Sequence, residues 1–221
     1  MPINSIYLAK LEPEQYYHVY NRTNNQDFLF WSNENRRYFL AQFHKYLSHF
    51  LEVYSWCLLS NHFHLQIKMK SEEEVRDYLM KMSLSERTKT ENNYLEGTVP
   101  FYSLANKSFT RFFQSYAQSL NNHTKRKGNL FYKSFKRVAI LNDQQFRKTM
   151  LYIHTNPLKH GIIGNFRNHD WSSWKEYADG ILPKDHKLKT YEIFGNKQSF
   201  LMAHETYEEL LINSNMLYKN I

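Results

Sequence analysis

From Asn61 to Lys70 polar and apolar residues alternate without a break, in the order Asn-His-Phe-His-Leu-Gln-Ile-Lys-Met-Lys. A period of two is that of a strand with one buried face, because successive side chains on a strand point to opposite sides. The pattern sends Phe63, Leu65, Ile67 and Met69 to a core and gathers His62, His64, Gln66, Lys68 and Lys70 on the other face. Tyr16 to Arg22 alternates in the same way, with His18, Tyr20 and Arg22 on one side and Tyr17 and Val19 on the other. Val53 to Leu59 is a nearly continuous apolar run, linked by Ser60-Asn61 to the histidine-bearing strand. A further strand is expected from Leu130 to Ile140.

Between the strands the spacing turns helical. Ser32 is placed to cap a helix reaching about Leu51, with Phe39, Phe43, Tyr46, Leu47 and Phe50 on its core stripe. Ser71-Glu72-Glu73-Glu74 has the form of a capping box and opens a short helix with Val75, Leu79 and Met82 inward. The acidic triplet there suits the helix dipole better than catalysis. Residues 83–100 are polar, with Gly97 and Pro100 near the end, and read as a loop-like insertion. A helix from about Leu104 to Asn122 buries Phe109, Phe112, Phe113, Tyr116 and Leu120. Asp143 is placed to cap another, running to about Asn156 and ended by Pro157. On this helix Phe146, Met150, Ile153 and Pro157 form one stripe. Tyr152 and Asn156, four apart, sit together about a third of a turn away, and His154 points to the far side. Trp171-Ser172-Ser173-Trp174 reads as a packing segment, and a last helix is expected between Gln198 and Ile212.

Composition narrows the partners. A chain of 221 residues suits one domain with appendages or two small ones. The formal charge of +8 favours a polyanionic partner. An aromatic share of 17% serves both a core and stacking surfaces. Cys57 is the only cysteine, which excludes an intrachain disulfide and a Cys-rich zinc site and leaves a small core residue. With no signal pattern and no apolar run of about 18 residues, the expectation is a cytoplasmic protein with no membrane partner.

Two imidazoles two residues apart on one strand face can chelate a divalent cation, with lysines beside them to hold an anion. The bland alternative is a solvated face with incidental histidines. Tyr152 and Asn156 equally admit a half-buried tyrosine and a polar residue near a helix end. Lys125-Arg126-Lys127-Gly128 is a basic turn, or simply a solvated loop.

Taken together, the stretches resemble the single-tyrosine (Y1) transposases of the His-hydrophobic-His (HUH) superfamily, in the IS200-like branch associated with repetitive extragenic palindromes. The resemblance lies in Tyr17-His18-Val19 with Asn21-Arg22, Ser60-Asn61-His62-Phe63-His64-Leu65, and Tyr116 to Asn121 with Gly128-Asn129-Leu130-Phe131. It continues in Tyr152-Ile153-His154-Thr155-Asn156-Pro157, Trp171-Ser172-Ser173 before Tyr177, and Ile193-Phe194-Gly195. It runs in order over about residues 15–200. The chain departs from the pattern at Thr23, where the family often has glycine, and in a longer segment from Ser85 to Leu104.

The resemblance implies an α+β, ferredoxin-like (RRM-like) antiparallel sheet with helices on one face and an extra helix delivering the catalytic tyrosine. The catalytic domain would span 1–165, with an insertion at about 84–103. Residues 166–221 would form a C-terminal extension packing on it or contacting DNA. His62 and His64 would bind Mg2+ or Mn2+, with Asn156 as third ligand. Tyr152 would attack phosphorus, release a 3′-hydroxyl and hold the 5′ end as a phosphotyrosine. Arg22, Lys68, Lys70, Lys125, Arg126 and Lys136 are candidates for backbone contacts to single-stranded, hairpin-bearing DNA, bound by a monomer or a homodimer. The rival from another class is a non-catalytic single-stranded DNA- or RNA-binding protein on the same sheet, which would need neither the tyrosine nor the histidines. A zinc hydrolase would need a further strong ligand, and no Cys or carboxylate motif offers one.

Overall fold

The computed structural model describes residues 7–24, 27–132, 134–181 and 183–219. Four strands, β1 (Tyr16–Arg22), β2 (Leu51–Leu58), β3 (His62–Met69) and β4 (Lys136–Ile140), form one sheet in the order β2-β3-β1-β4. All neighbouring strands are antiparallel. α1 (Asn33–Leu47) joins β1 to β2, and α4 (Phe101–Thr124) leads from β3 towards β4. Each helix carries the chain past one intervening strand, the split βαβ arrangement of a ferredoxin-like sheet.

The alternation decides what each face carries. Tyr17 and Val19 of β1, and Phe63, Leu65, Ile67 and Met69 of β3, are buried in a core with Phe39 and Phe43 of α1 and Phe109, Phe112 and Tyr116 of α4. Burying one such aromatic side chain contributes roughly 1.5–3 kcal/mol, so this aromatic layer outweighs any single polar contact in holding the two helices down. The opposite face is covered too. α5 (Asp143–Lys159) lies across β2 and β3, and α6 (Trp174–Ala178), α7 (Lys184–Phe194) and α8 (Lys197–Lys219) pack around it. Phe146 and Met150 of α5 share a second core with Tyr54, Tyr177 and Phe200. Trp171 to Ser173 runs along the outer edge of β2, with Leu58 N donating to Trp171 O at 2.9 Å and Ser173 N to Trp56 O at 3.0 Å. That edge is thereby paired rather than left open.

Several expectations shift. The helix opened by Ser32 ends at Leu47, and the next strand starts at Leu51. Residues 83–100 are not a plain loop: α3 (Lys89–Leu95) forms there under a Thr88/Glu91 capping box. Buried Glu91 pairs with Arg111 of α4 at 3.5 Å, and Arg76 of α2 (Glu72–Lys81) donates to the carbonyls of Tyr94 and Leu95. The strand expected from Leu130 is regular only from Lys136, preceded by one bridge between Thr23 and Phe131; position 133 lies outside the described residues. Pro157 does not end its helix, which runs on to Lys159. The proline lacks only the amide that would have bonded the carbonyl four residues back. His160 N closes the last turn on Asn156 O at 3.1 Å. Met82 is only partly buried against the core rather than fully inward. Among the described residues no helix is long and apolar enough to cross a membrane.

Candidate active site

The register of β1 against β3 sets Arg22 opposite His62, Tyr20 opposite His64 and His18 opposite Gln66. All six side chains belong to the sheet face that α5 covers. His64 and Gln66 are buried there and His62 is half-buried. Gln66 is used structurally, accepting from Ser55 Oγ at 3.0 Å and donating to Phe146 O at 3.2 Å. The helix brings the tyrosine over the histidines. The Tyr152 ring stands edge-on to His64 with centroids 5.3 Å apart, and 5.8 Å from His18. Lys159 Nζ lies 4.6 Å from the centre of the Tyr152 ring, and the His160 ring lies 5.0 Å from that of His62.

Each imidazole has its Nδ1 against one neighbour. His62 Nδ1 is 2.6 Å from Asn61 Oδ1, and His64 Nδ1 is 2.9 Å from His18 Nε2. A carboxamide oxygen can only accept, so His62 carries its proton on Nδ1 and keeps a lone pair on Nε2. Burial pushes the proton affinity of all three rings down. His62 falls to about 4, assisted by His160 and opposed by Asn156; His18 falls to about 4; His64 falls well below the usual histidine range, with His18 and His62 adding to the burial. Each is neutral at pH 7, the form that binds a metal ion.

Asn156, one turn beyond Tyr152, is fully buried. It lies near enough to His62 to bias that ring, yet among the described residues neither Oδ1 nor Nδ2 has a hydrogen-bond partner of acceptable geometry. Buried polar atoms are almost always paired, so an orphaned amide beside two neutral imidazoles is what a cation or substrate oxygen would satisfy. Among the described residues no three His, Cys, Asp or Glu side chains are arranged to hold a metal ion. A third protein ligand here would therefore be the amide. The donor set of two imidazoles and one amide oxygen fits a cation that keeps open positions for oxygen ligands.

The basic residues expected to meet DNA divide by position. Arg22 faces Tyr132 at 4.9 Å and abuts His62 across the strands. Lys136 Nζ lies 5.4 Å from the ring of Tyr20, which itself stacks on His64. Lys68 and Lys70 stand towards the far end of β3, where Lys70 Nζ donates to Ser48 O at 3.0 Å, just past the end of α1. Lys125 is exposed and ends α4 in a left-handed conformation at φ 54°. Arg126 binds Asp27 at 2.9 Å and the carbonyls of Gly128 and Asn129, so it shapes its own turn.

No protein-family model matches the chain, and no curated protein does. Among solved structures, it is similar to a REP-associated tyrosine transposase bound to a REP hairpin. The TM-score is 0.49 and the identity 16%, over 79% of this chain and 86% of that one. That likeness transfers no residue role.

Two neighbours of the site escaped the sequence reading. His18 falls on the same strand face as Tyr20 and Arg22 by simple alternation, but only the register against β3 ties it to His64. Lys159 is seven residues after Tyr152, two helical turns on and nearly above it. That spacing was legible, and the supposed stop at Pro157 hid it.

Proposed function

We propose that this protein is a metal-dependent endonuclease and strand transferase of the single-tyrosine transposase type, acting on single-stranded, hairpin-bearing DNA. One observation carries the reading: a phenol set edge-on to His64, a buried neutral imidazole, with an amide one turn along the same helix that has no partner among the described residues. A protein that only binds nucleic acid has no use for that combination.

In this reading His62, His64 and Asn156 hold Mg2+ or Mn2+. When bound, the ion neutralises charge on the non-bridging phosphate oxygens. Tyr152 Oη bonds to phosphorus as the P–O3′ bond breaks. The phenol's proton passes to water, and the departing oxygen takes one up to become a 3′-hydroxyl. The 5′ end stays on the enzyme as a phosphotyrosine, a bond that keeps the energy needed for rejoining. Lys159 Nζ, 4.6 Å from the centre of the Tyr152 ring, is in reach of a phosphate oxygen brought to that phenol. Arg22 and Lys136 flank the site and suit the phosphates on either side of the scissile one. Lys68 and Lys125 extend the positive surface, while Lys70 and Arg126 would have to share their bonds to Ser48 O and Asp27 with a phosphate.

The test is incubation with hairpin-containing single-stranded DNA and Mn2+, followed by a denaturing gel. Wild type is expected to form a covalent adduct and Tyr152→Phe none. An adduct that survives in the variant reassigns the nucleophile. Hairpin binding with no adduct and no cleavage in wild type favours the non-catalytic binder instead.

A further inference from the structure

The two imidazoles read above as metal ligands differ in what fixes their protons. For His62 the partner is Asn61 Oδ1, which leaves one choice. For His64 the partner is His18 Nε2 at 2.9 Å, and an imidazole nitrogen can either donate or accept. If His64 Nδ1–H donates to His18, the lone pair of His64 lies on Nε2 and is available to a cation. If His18 Nε2–H donates instead, His64 Nε2 carries the proton and cannot ligate. The function of the site thus turns on which ring holds one hydrogen.

We propose that His18 is a positioning residue that holds His64 in its ligating tautomer, accepting the Nδ1–H bond at Nε2. His18 is itself fixed from two sides. Tyr20 stacks on it at 4.8 Å, and the Tyr152 ring meets it edge-on at 5.8 Å. The neighbouring strand supplies the acceptor because His18 sits diagonally from His64 on the same face, opposite Gln66. Metal-binding histidines commonly have the second nitrogen held by an outer acceptor, and losing that acceptor costs about 10–100-fold in affinity. Here the acceptor is a second imidazole that also touches the reacting phenol's ring, so it couples the placement of the ligand to that of the nucleophile. The inference rests on the metal-site reading, and its test separates the two.

Imidazole 15N correlation spectra of the metal-free protein read the tautomer directly. His64 is expected to carry its proton on Nδ1 in wild type, and to lose that preference in His18→Leu, which keeps bulk without an acceptor. Mn2+ titration by calorimetry, without DNA, is expected to show about 10–100-fold weaker binding in His18→Leu. His18→Gln, whose amide oxygen can accept, should recover most of it. A His64 that carries its proton on Nε2 in wild type overturns the proposal, as does a His18→Leu variant that takes up Mn2+ like wild type. Should His18→Leu not fold, failure of His18→Gln to retain the Nδ1–H signature overturns it equally. His64→Ala distinguishes the readings: affinity unchanged by that substitution, or no uptake by wild type, sinks the metal site along with the role of His18.

Discussion

Among the described residues two pairs of imidazoles are hydrogen-bonded, each at 2.9 Å, one on either side of the same helix. His18 and His64 meet under Tyr152. His154, on the opposite side of α5, meets His204 of α8 in the second core, and both are completely buried. The pairs differ in what happens at their outer nitrogens. His204 Nδ1 donates to Phe200 O at 2.8 Å, so its Nε2 accepts from His154 Nδ1. His154 Nε2 then accepts from Ser173 Oγ at 2.9 Å, and Ser173 Oγ accepts from Trp56 N at 2.9 Å. Every nitrogen has a partner, and the chain of bonds ties α8, α5, the Trp171–Trp174 segment and the edge of β2 together. In the other pair, the outer nitrogens of His18 and His64 find no hydrogen-bond partner among the described residues. A closed pair is a clasp; an open pair is available for chemistry.

The contrast breaks most visibly by truncation. His154→Ala should cost about 3 kcal/mol in urea unfolding, because it removes buried packing and orphans groups on His204 and Ser173. His62→Ala, at a half-buried position, should stay within about 1 kcal/mol while abolishing Mn2+-dependent adduct formation. Equal stability losses in the two variants would erase the distinction. Acid comes next. Burial depresses His204 to about 3, with its bond to Phe200 O opposing, and holds His154 well below the usual histidine range, with His204 adding to the effect. A histidine kept neutral by folding supports the native state fully above its unfolded value of about 6.5, and that support drains as pH falls towards the folded value. Between pH 6 and 4 each such ring adds a slope of up to about 1.4 kcal/mol per pH unit. His204→Gln should flatten urea stability across that range by about one ring's worth, and a slope as steep as wild type would show that the pair does not stay neutral. Ser173→Ala should cost less than His154→Ala, about 1–2 kcal/mol at pH 7, since it leaves His154 Nε2 and the Trp56 amide without their shared hydroxyl. A variant as stable as wild type would mean water replaces that hydroxyl.

How far the chain could be read in advance follows the range of each interaction. The strand of His62 and His64 and the placement of Tyr152 one turn before Asn156 came from periods of two and 3.6, and the core-facing residues of β1, β3 and α4 came with them. Caps at Ser32 and Ser71 were equally local and form as the residues demand. The capping box at Thr88 is just as local, but it lies in a polar stretch with no apolar stripe to mark a helix; the helix holds by burying Tyr94 and by the Glu91–Arg111 pair. The spacing puts His154 on the far side of α5, and nothing nearby in the chain announces that α8 covers it.

The sequence alone determined which side chains share a strand face, which helix stripes are apolar, and where a phenol and an amide recur one turn apart. Backbone geometry makes those relations, and they need no knowledge of neighbours. Only the tertiary structure decided that α5 lies over the histidine face, that His18 reaches His64 from a strand 46 positions away, and that Lys70 serves a helix end. Each of these depends on strand register and on which element covers which surface. Burial then determines whether a polar atom is paired, orphaned or free to bind, and no local pattern encodes that outcome.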